Sequence, residues 1–486
     1  MCNSVFIKSL FSIVLLAAWH AGASAQVEAR VEWDNKGDYS HSYVESLKEK
    51  GALLLQFAKD SEGGQRYLKI SHYDTGLKLI RCDSFLIDKH LDMYSLFPDG
   101  DMHYSVLRRK NGEMAVVAYN VKTGAHNVYE SDYSRKAGMY DEQIHDGKMV
   151  FSVARKNQKR VGILDLASGE IKHAEMHFKG VSDSKVDIIE TTVVDGEINS
   201  IVRLNKEVSL FKIDMQGNIV SRTTLNLPAD RILASGSVSK TGGKRFLTGT
   251  YGDKPGRSQG IYFAELGDDN LRFAKFYNFL ELKNFTDYMS ERGQKKAARR
   301  MEKAKKKGKE YTRNYLMAGH DIIAHGGAYY YLGEAYYPTY TTIMVGNVVR
   351  TTFSGYAYTH AVLAKFDADG NMLWDNCFEM APHTKPYYVK RFVSAGVRDG
   401  NMSMLFGDGK KLFKKVVSDR DGSTLQERES EMLATDEENE DVKRARSTNT
   451  QHWFGDSFLV YGNQIVKNKQ TGERRNVAYI NKYVIK

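Results

Sequence analysis

The chain alternates short apolar runs with glycine turns, and the alternation keeps a regular beat. A turn glycine stands at Gly51, Gly100, Gly147, Gly196, Gly243, Gly327 and Gly400, preceded by aspartate at Asp99, Asp146, Asp195 and Asp399. A β-rich run follows each one, such as Ala52-Leu53-Leu54-Leu55, Lys148-Met149-Val150-Phe151 or Ala328-Tyr329-Tyr330-Tyr331. In six of the seven units a second turn lies 21 to 25 residues further on, as in Asp74-Thr75-Gly76, Lys122-Thr123-Gly124, Ala167-Ser168-Gly169, Met215-Gln216-Gly217, Asp421-Gly422 and a looser form around Gly267. Glycine reaches the positive φ that tight turns need, so each turn between apolar alternations predicts a hairpin. Two hairpins per unit make four antiparallel strands, A to D. The first four intervals are 49, 47, 49 and 47 residues, a period that propeller blades share with stacked solenoids.

The two ends favour the ring. The last unit offers strands near Ser457 to Val466 and Asn476 to Ile485 and then stops one strand short. Near the start, Val27, Ala29, Val31 and Trp33 alternate with Glu28, Arg30, Glu32 and Asp34, the period of a half-buried strand. Pairing the two segments closes a circle and removes two exposed sheet edges, whereas a solenoid would need polar caps at its ends. The expected fold is all-β: a single closed β-propeller over residues 26–486, with about eight four-stranded blades, seven being the alternative, and the N-terminal strand completing the last.

The second turn also resembles the repeat of quinoprotein-type propellers, in which an Asp, a Thr-Gly turn and a Trp recur. The match is fullest at Lys365-Phe366-Asp367-Ala368-Asp369-Gly370-Asn371-Met372-Leu373-Trp374 and partial at Leu164-Asp165-Leu166-Ala167-Ser168-Gly169. The resemblance implies the ring. The remaining blades lack the tryptophan, and no cofactor is expected.

Insertions into such a repeat map to loops that often carry binding. Residues 278–314 form a helical insertion between strand D of blade 5 and strand A of blade 6, expected to be removable without loss of the ring. Tyr336 to Tyr358 lengthen the B–C link of blade 6, which is read as a loop. The acidic stretch Glu427 to Asp441 leads into blade 8. Because antiparallel strands reverse at each step, B–C and D–A links share one face, so all three should crowd a single rim.

That rim carries the charge. From Glu291 to Arg313 there are eleven Lys or Arg against three Glu, a net of +8, while the whole chain is +10. The sequence favours helix between Gly293 and Gly308, with Ala297, Met301 and Ala304 as a thin apolar stripe. Lys295, Lys296, Arg299, Arg300, Lys303 and Lys306 are the candidate contacts to an acidic protein, an anionic glycan or a lipid surface. The acidic stretch, net −7, is an internal alternative partner. Tyr336, Tyr337, Tyr340, Tyr356 and Tyr358 are candidate ligand contacts on the same rim.

Residues 1–25 read as an export signal: Lys8, an apolar run from Ser9 to Ala18, and Ala23-Ser24-Ala25 as a cleavage site. The expected destination is the periplasm or the cell surface, which argues against nucleic acid as a partner, and no stretch is long enough to span a bilayer. Cys82 and Cys377 fall on non-neighbouring blades and are not expected to pair.

Signals for catalysis are sparse. Gly256-Arg257-Ser258-Gln259-Gly260 has nucleophile-elbow spacing but lies between two strands, not at the strand-to-helix turn that the elbow needs. Asp367, Asp369, Asn371 and Asp375 have calcium-like spacing without the closing glutamate, so no metal is expected. Were the chain an enzyme, a hydrolase or lyase acting on a glycan or peptide, His320, Asp321 and His325 on the innermost strand of blade 6 would be the first candidates. Non-catalytic binding through the rim of blades 5 and 6 is the leading expectation.

Overall fold

The computed structural model describes residues 26–485 except 35–38, 134–137, 156–157, 255, 268–269, 309, 346–347, 399, 433–434 and 436–438. The leader reading therefore lies outside the described residues. Within them the strands form eight separate antiparallel sheets. Blade 1 is typical, running from inside to outside through Tyr39–Ser46, Ala52–Ala58, Gln65–Tyr73 and Leu79–Asp88. The second strand of a blade is covered on both faces and reads as a continuous apolar run, as in Ala52–Ala58. Outermost strands such as Ile219–Thr224 are largely solvent-facing and polar. This is why the sequence shows dense runs and thin ones in alternation.

The landmark turns adopt the backbone that their residues suggest. Asp146 and Gly147 have φ of 46° and 69°, and Asp195 and Gly196 have 51° and 74°, the paired positive values of a type I′ hairpin. In blade 1 the expectation for Gly76 fails: the positive φ, 61°, belongs to Leu77. Asp74 fastens this turn by accepting from the Gly76 and Lys78 N–H groups, both at 2.8 Å.

Each pair of neighbouring blades encloses its own apolar core. Blades 6 and 7 share Tyr330, Leu363, Trp374, Phe378, Met404 and Phe406. Trp374 lies over Gly422 of blade 7, where a Cβ would come within 2.7 Å of the indole, and its Nε1 donates to Asp419 O at 2.9 Å. The decisive core joins the last blade to the first: Val44 and Leu54 meet Trp453, Leu459 and Ile480. Blade 8 consists of Glu440–His452, Ser457–Asn468, Arg474–Val484 and, outermost, Gln26–Asp34. A solenoid would leave its first and last sheets apart, so the ring is closed and has eight blades.

The closing strand differs from the expected half-buried one. A bulge between Val27 and Ala29 shifts its register, so that Val27 packs toward blade 7 while Ala29, Val31 and Trp33 pack toward blade 1. The middle of its polar face is buried too, while Glu28 and Asp34 toward its ends are exposed. The side chains of Arg30 and Glu32 pair at 2.7 Å with only 5% and 6% exposure. Arg475 bridges Glu32 and Glu440, at 2.5 Å each, across the sheet.

Two departures from the repeat shape blades 5 and 6. Helix α1, Glu291–Lys305, is capped by Ser290, which accepts from the Gly293 N–H at 3.3 Å. The helix thus begins two residues before the expected point and is about 22 Å long. Residues 336–358 are not a loop. Strands Ala328–Val345 and Val348–Phe366 continue as one hairpin past Tyr336, which pairs with Leu316 at the start of the innermost strand. β-Branched and aromatic residues fill both arms, and they suit a pleated strand.

Candidate functional site

The insertion is seated before it is charged. Phe279 and Phe285 are fully buried between blades 5 and 6 and stack at 4.6 Å. Tyr288 stacks on His360 at 3.9 Å, and its hydroxyl meets that of Tyr315 at 3.1 Å. Asp375 accepts the Lys283 and Asn284 N–H groups at 2.8 Å each, which is the work of the carboxylate that had calcium-like spacing. On the return path Glu310 accepts from Arg231 at 3.1 Å and from Asn278 at 2.6 Å. Deleting 278–314 would therefore strip a core, contrary to the expectation that the segment is removable.

From this base α1 turns Ala297, and in part Met301 and Ala304, toward the body and every cation outward. Within the helix Lys295 pairs with Glu291 at 3.7 Å and Lys306 with Glu302 at 2.7 Å. Arg300 meets the Tyr311 hydroxyl at 3.2 Å. Among the described residues, Lys296, Arg299 and Lys303 have no carboxylate partner. The acidic stretch does not supply one: Glu440 binds Arg475, and Asp441 lies near Lys443 and Lys469, all in blade 8. Glu429 and Glu431 have no described side chains, and Asp436, Glu437 and Glu438 lie outside the described residues. The stretch enters blade 8, two links further round the ring than α1.

The hairpin sorts its tyrosines by depth. Tyr358 is buried, packs on Phe392 at 4.9 Å and accepts the Lys390 N–H at 2.7 Å. Tyr336 and Tyr356 are half-buried and meet edge to face at 5.1 Å. These three hold the hairpin in place, so only Tyr337 and Tyr340, 51% and 62% exposed, remain as surface contacts. Toward the tip Ile343, Met344 and Val349 are 49%, 74% and 62% exposed. The link between blades 6 and 7 lies against the hairpin: the Tyr356 N–H donates to Pro386 O at 2.8 Å, and Phe353 meets Tyr387 at 5.9 Å. A Cβ at Gly355 would lie 2.4 Å from Lys385 O, so only glycine allows this approach. Tyr387 extends the exposed patch, Tyr388 and Val389 are exposed further along the same link, and the sequence reading missed all three. The signal was a run of large apolar residues in a link, Pro386 to Val389.

The channel holds a second set of groups. Glu190 touches solvent but is ringed by protein. Burial chiefly, then Asp141 and Asp321, push its carboxyl up to about 8 against the pull of Arg391. Burial likewise raises Asp141 to about 6, although the Thr191 N–H and the Ser152 hydroxyl, each at 3.2 Å, favour its charge. Glu45 rises to about 7, again mainly through burial. Sequence reasoning missed these, although Asp141 and Glu190 stand 49 positions apart, one repeat.

The three residues named for catalysis are not brought together. His320 Nε2 lies 2.8 Å from Glu334, a fully buried carboxylate that also accepts the Phe392 and Val393 N–H groups at 2.8 Å. His325 is at the other end of the strand, beside the hairpin turn to Ala328, and only Asp321 approaches the Glu190 cluster. His320→Ala should cost about 1–3 kcal/mol, because it removes one hydrogen bond to a buried charge. Urea unfolding measures this, and a loss below about 0.5 kcal/mol would show that the bond contributes nothing. Ser258 of the elbow-like motif is buried and donates to Thr250 at 2.8 Å. Cys82 and Cys377 are unpaired. Among the described residues no group of three or more His, Cys, Asp or Glu is arranged to hold a metal ion.

No protein-family model matches the chain, and no curated protein sequence matches it. Solved structures do. A puromycin-hydrolysing peptidase of Mycobacterium tuberculosis is 10% identical with a TM-score of 0.39, over 79% of this chain and 52% of its own. The chain thus spans about half the length of that peptidase. The polysaccharide lyase Uly1 is 10% identical at TM-score 0.39, over 92% of this chain and 100% of its own. The WD40 domain of SCAP from fission yeast is 8% identical at TM-score 0.40, over 93% of this chain and 98% of its own. At these identities the likeness extends to the fold alone.

Proposed function

We propose that this chain is an exported, non-catalytic β-propeller that binds an acidic or envelope partner through the rim of blades 5 to 7. Export rests on the leader-like residues 1–25, and the periplasm or the cell surface is the destination. The observation that carries the binding reading is α1: a helix on an aromatic base whose Lys296, Arg299 and Lys303 face solvent and, among the described residues, have no carboxylate partner. A solvated helix with no partner needs no such base. We read the quinoprotein-type likeness as shared turn chemistry, because Asp367 accepts the Asp369 and Asn371 N–H groups while Trp374 serves the next blade.

The test is charge reversal, since deletion would unseat the core. A triple variant, Lys296→Glu, Arg299→Glu and Lys303→Glu, should bind a heparin column at least about tenfold more weakly at physiological salt. Retention equal to that of the parent protein would refute the arm's role.

A second reading, hydrolysis or lysis of a glycan or peptide in the channel, draws on Glu190. A carboxyl raised to about 8 stays protonated at neutral pH, and with the lower Asp141 nearby it forms the split pair that acid–base chemistry uses. Glycan or peptide cleavage that disappears in Glu190→Ala would favour it.

A further inference from the structure

The rim carries two kinds of surface, and their order along the hairpin is informative. At the far end are aliphatic side chains, Ile343, Met344 and Val349, all exposed. Behind them stand the exposed tyrosines Tyr337 and Tyr340, with Tyr387 on the adjoining link at 72% exposure and in contact with Phe353. Cations accompany both, since Arg350 pairs with Ile343 across the hairpin and Lys385 is exposed on the link. The hairpin projects roughly 30 Å past Tyr336, at about 3.3 Å per residue, and it rises from the blade on which the arm is seated through Tyr288 and His360.

Aliphatic tip, tyrosine behind, cation alongside is the polarity sequence of a bilayer read outward from the acyl chains through the interface to the headgroups. We infer that this rim docks on an anionic lipid bilayer, with the hairpin tip inserted among the acyl chains and α1 lying against the headgroups. The inference rests on the reading of α1 as an external anion-binding element. An acidic protein fits the observations less well. A protein partner selects a shaped, central aromatic pocket with a polar rim, whereas here the exposed apolar side chains Ile343, Met344 and Val349 lie toward the far end of the hairpin, beyond the tyrosines. Opposite Ala297, Met301 and Ala304, the cations Arg292, Lys295, Lys296, Arg299, Arg300 and Lys303 share one broad outward face of the helix, and an extended face of that kind suits a laterally uniform layer of negative charge. Neither surface alone would suffice, because two or three aliphatic side chains or a charge comb each give marginal binding, and stable anchoring takes two signals. Among the described residues no helix is long and apolar enough to cross a membrane, and the docking proposed is peripheral.

The experiment is co-sedimentation of the purified protein with vesicles of phosphatidylcholine mixed with phosphatidylglycerol, and with vesicles of phosphatidylcholine alone. Two variants accompany it, the α1 charge reversal and a tip variant, Ile343→Ser with Met344→Ser. Both tip residues are exposed, so the fold should survive, and far-UV circular dichroism checks this. The parent protein should sediment with the mixed vesicles and at least about tenfold less well with phosphatidylcholine alone. Each variant should lose about tenfold or more. A tip variant that sediments like the parent overturns the insertion. Absence of vesicle binding with heparin retention intact overturns the lipid assignment and leaves an acidic protein or glycan as the partner of α1. Loss of both overturns the reading of α1 as well.

Discussion

Replacing Trp453 by alanine should lower the free energy of unfolding by about 3–5 kcal/mol, the range for deleting a buried aromatic side chain. The indole is fully buried where blade 8 meets blade 1, and its Nε1 donates to Gly51 O at 2.8 Å. The substitution therefore leaves a cavity and removes one of the two hydrogen bonds to Gly51 O, which also accepts the Leu47 N–H at 2.9 Å, at the turn whose φ of 108° already confines it to glycine. The position adds a second consequence. This junction is the one between the first and last units, so weakening it should loosen the outermost strand Gln26–Asp34, the chain's own clasp. Hydrogen exchange of amides in that strand should rise more than that of blades 4 and 5 on the far side of the ring. Urea unfolding gives the first quantity and exchange the second. A loss below about 1 kcal/mol would mean that the closure does not depend on this core.

The ring was legible because its repeat is written in backbone requirements. A glycine that must adopt positive φ is visible at Gly147 or Gly196 whatever surrounds it, and four such turns at one spacing suffice to define the blade. The terminal strand was legible for the same reason, in its period of two. What the residues do not write down is depth. Tyr336, Tyr340 and Tyr358 look alike in sequence, and only the register of the two hairpin strands against Leu316 decides that one is solvent-facing and another is a buried support. The insertion shows the same limit. Its charge is plain from composition, but the Phe279 and Phe285 base that makes it rigid depends on packing between two blades. Nothing in the local sequence announces that His320 is paired with Glu334, fourteen positions away and fully buried. The channel carboxylates were hidden for a geometric reason. Each is one polar residue on an ordinary inner strand, and only closing the circle brings Asp141, Glu190 and Asp321 toward one another.

That convergence makes stability depend on pH in an unusual direction. Glu190 has a folded-state value of about 8 against an ordinary 4.5. Folding therefore favours its protonated form. The stabilisation from this group is fully present below about pH 4.5 and is lost as pH rises through 8, because the ionised carboxylate is poorly solvated inside the ring. Asp141 adds the same trend between its ordinary 3.8 and about 6, and Glu45 adds it between 4.5 and about 7. Glutamine keeps the shape of Glu190 and an acceptor for the Gly236 N–H while removing the charge. Glu190→Gln should thus gain about 2–4 kcal/mol over the parent at pH 9, with the gap closing to near zero at pH 4. The upper end would apply to a dry site, and water in the channel draws the value down. Urea unfolding of both proteins at pH 4, 7 and 9 gives the difference directly. Parallel stability curves across that range would mean that the channel solvates Glu190 as bulk water does, and the acid–base reading of the channel would fall with it.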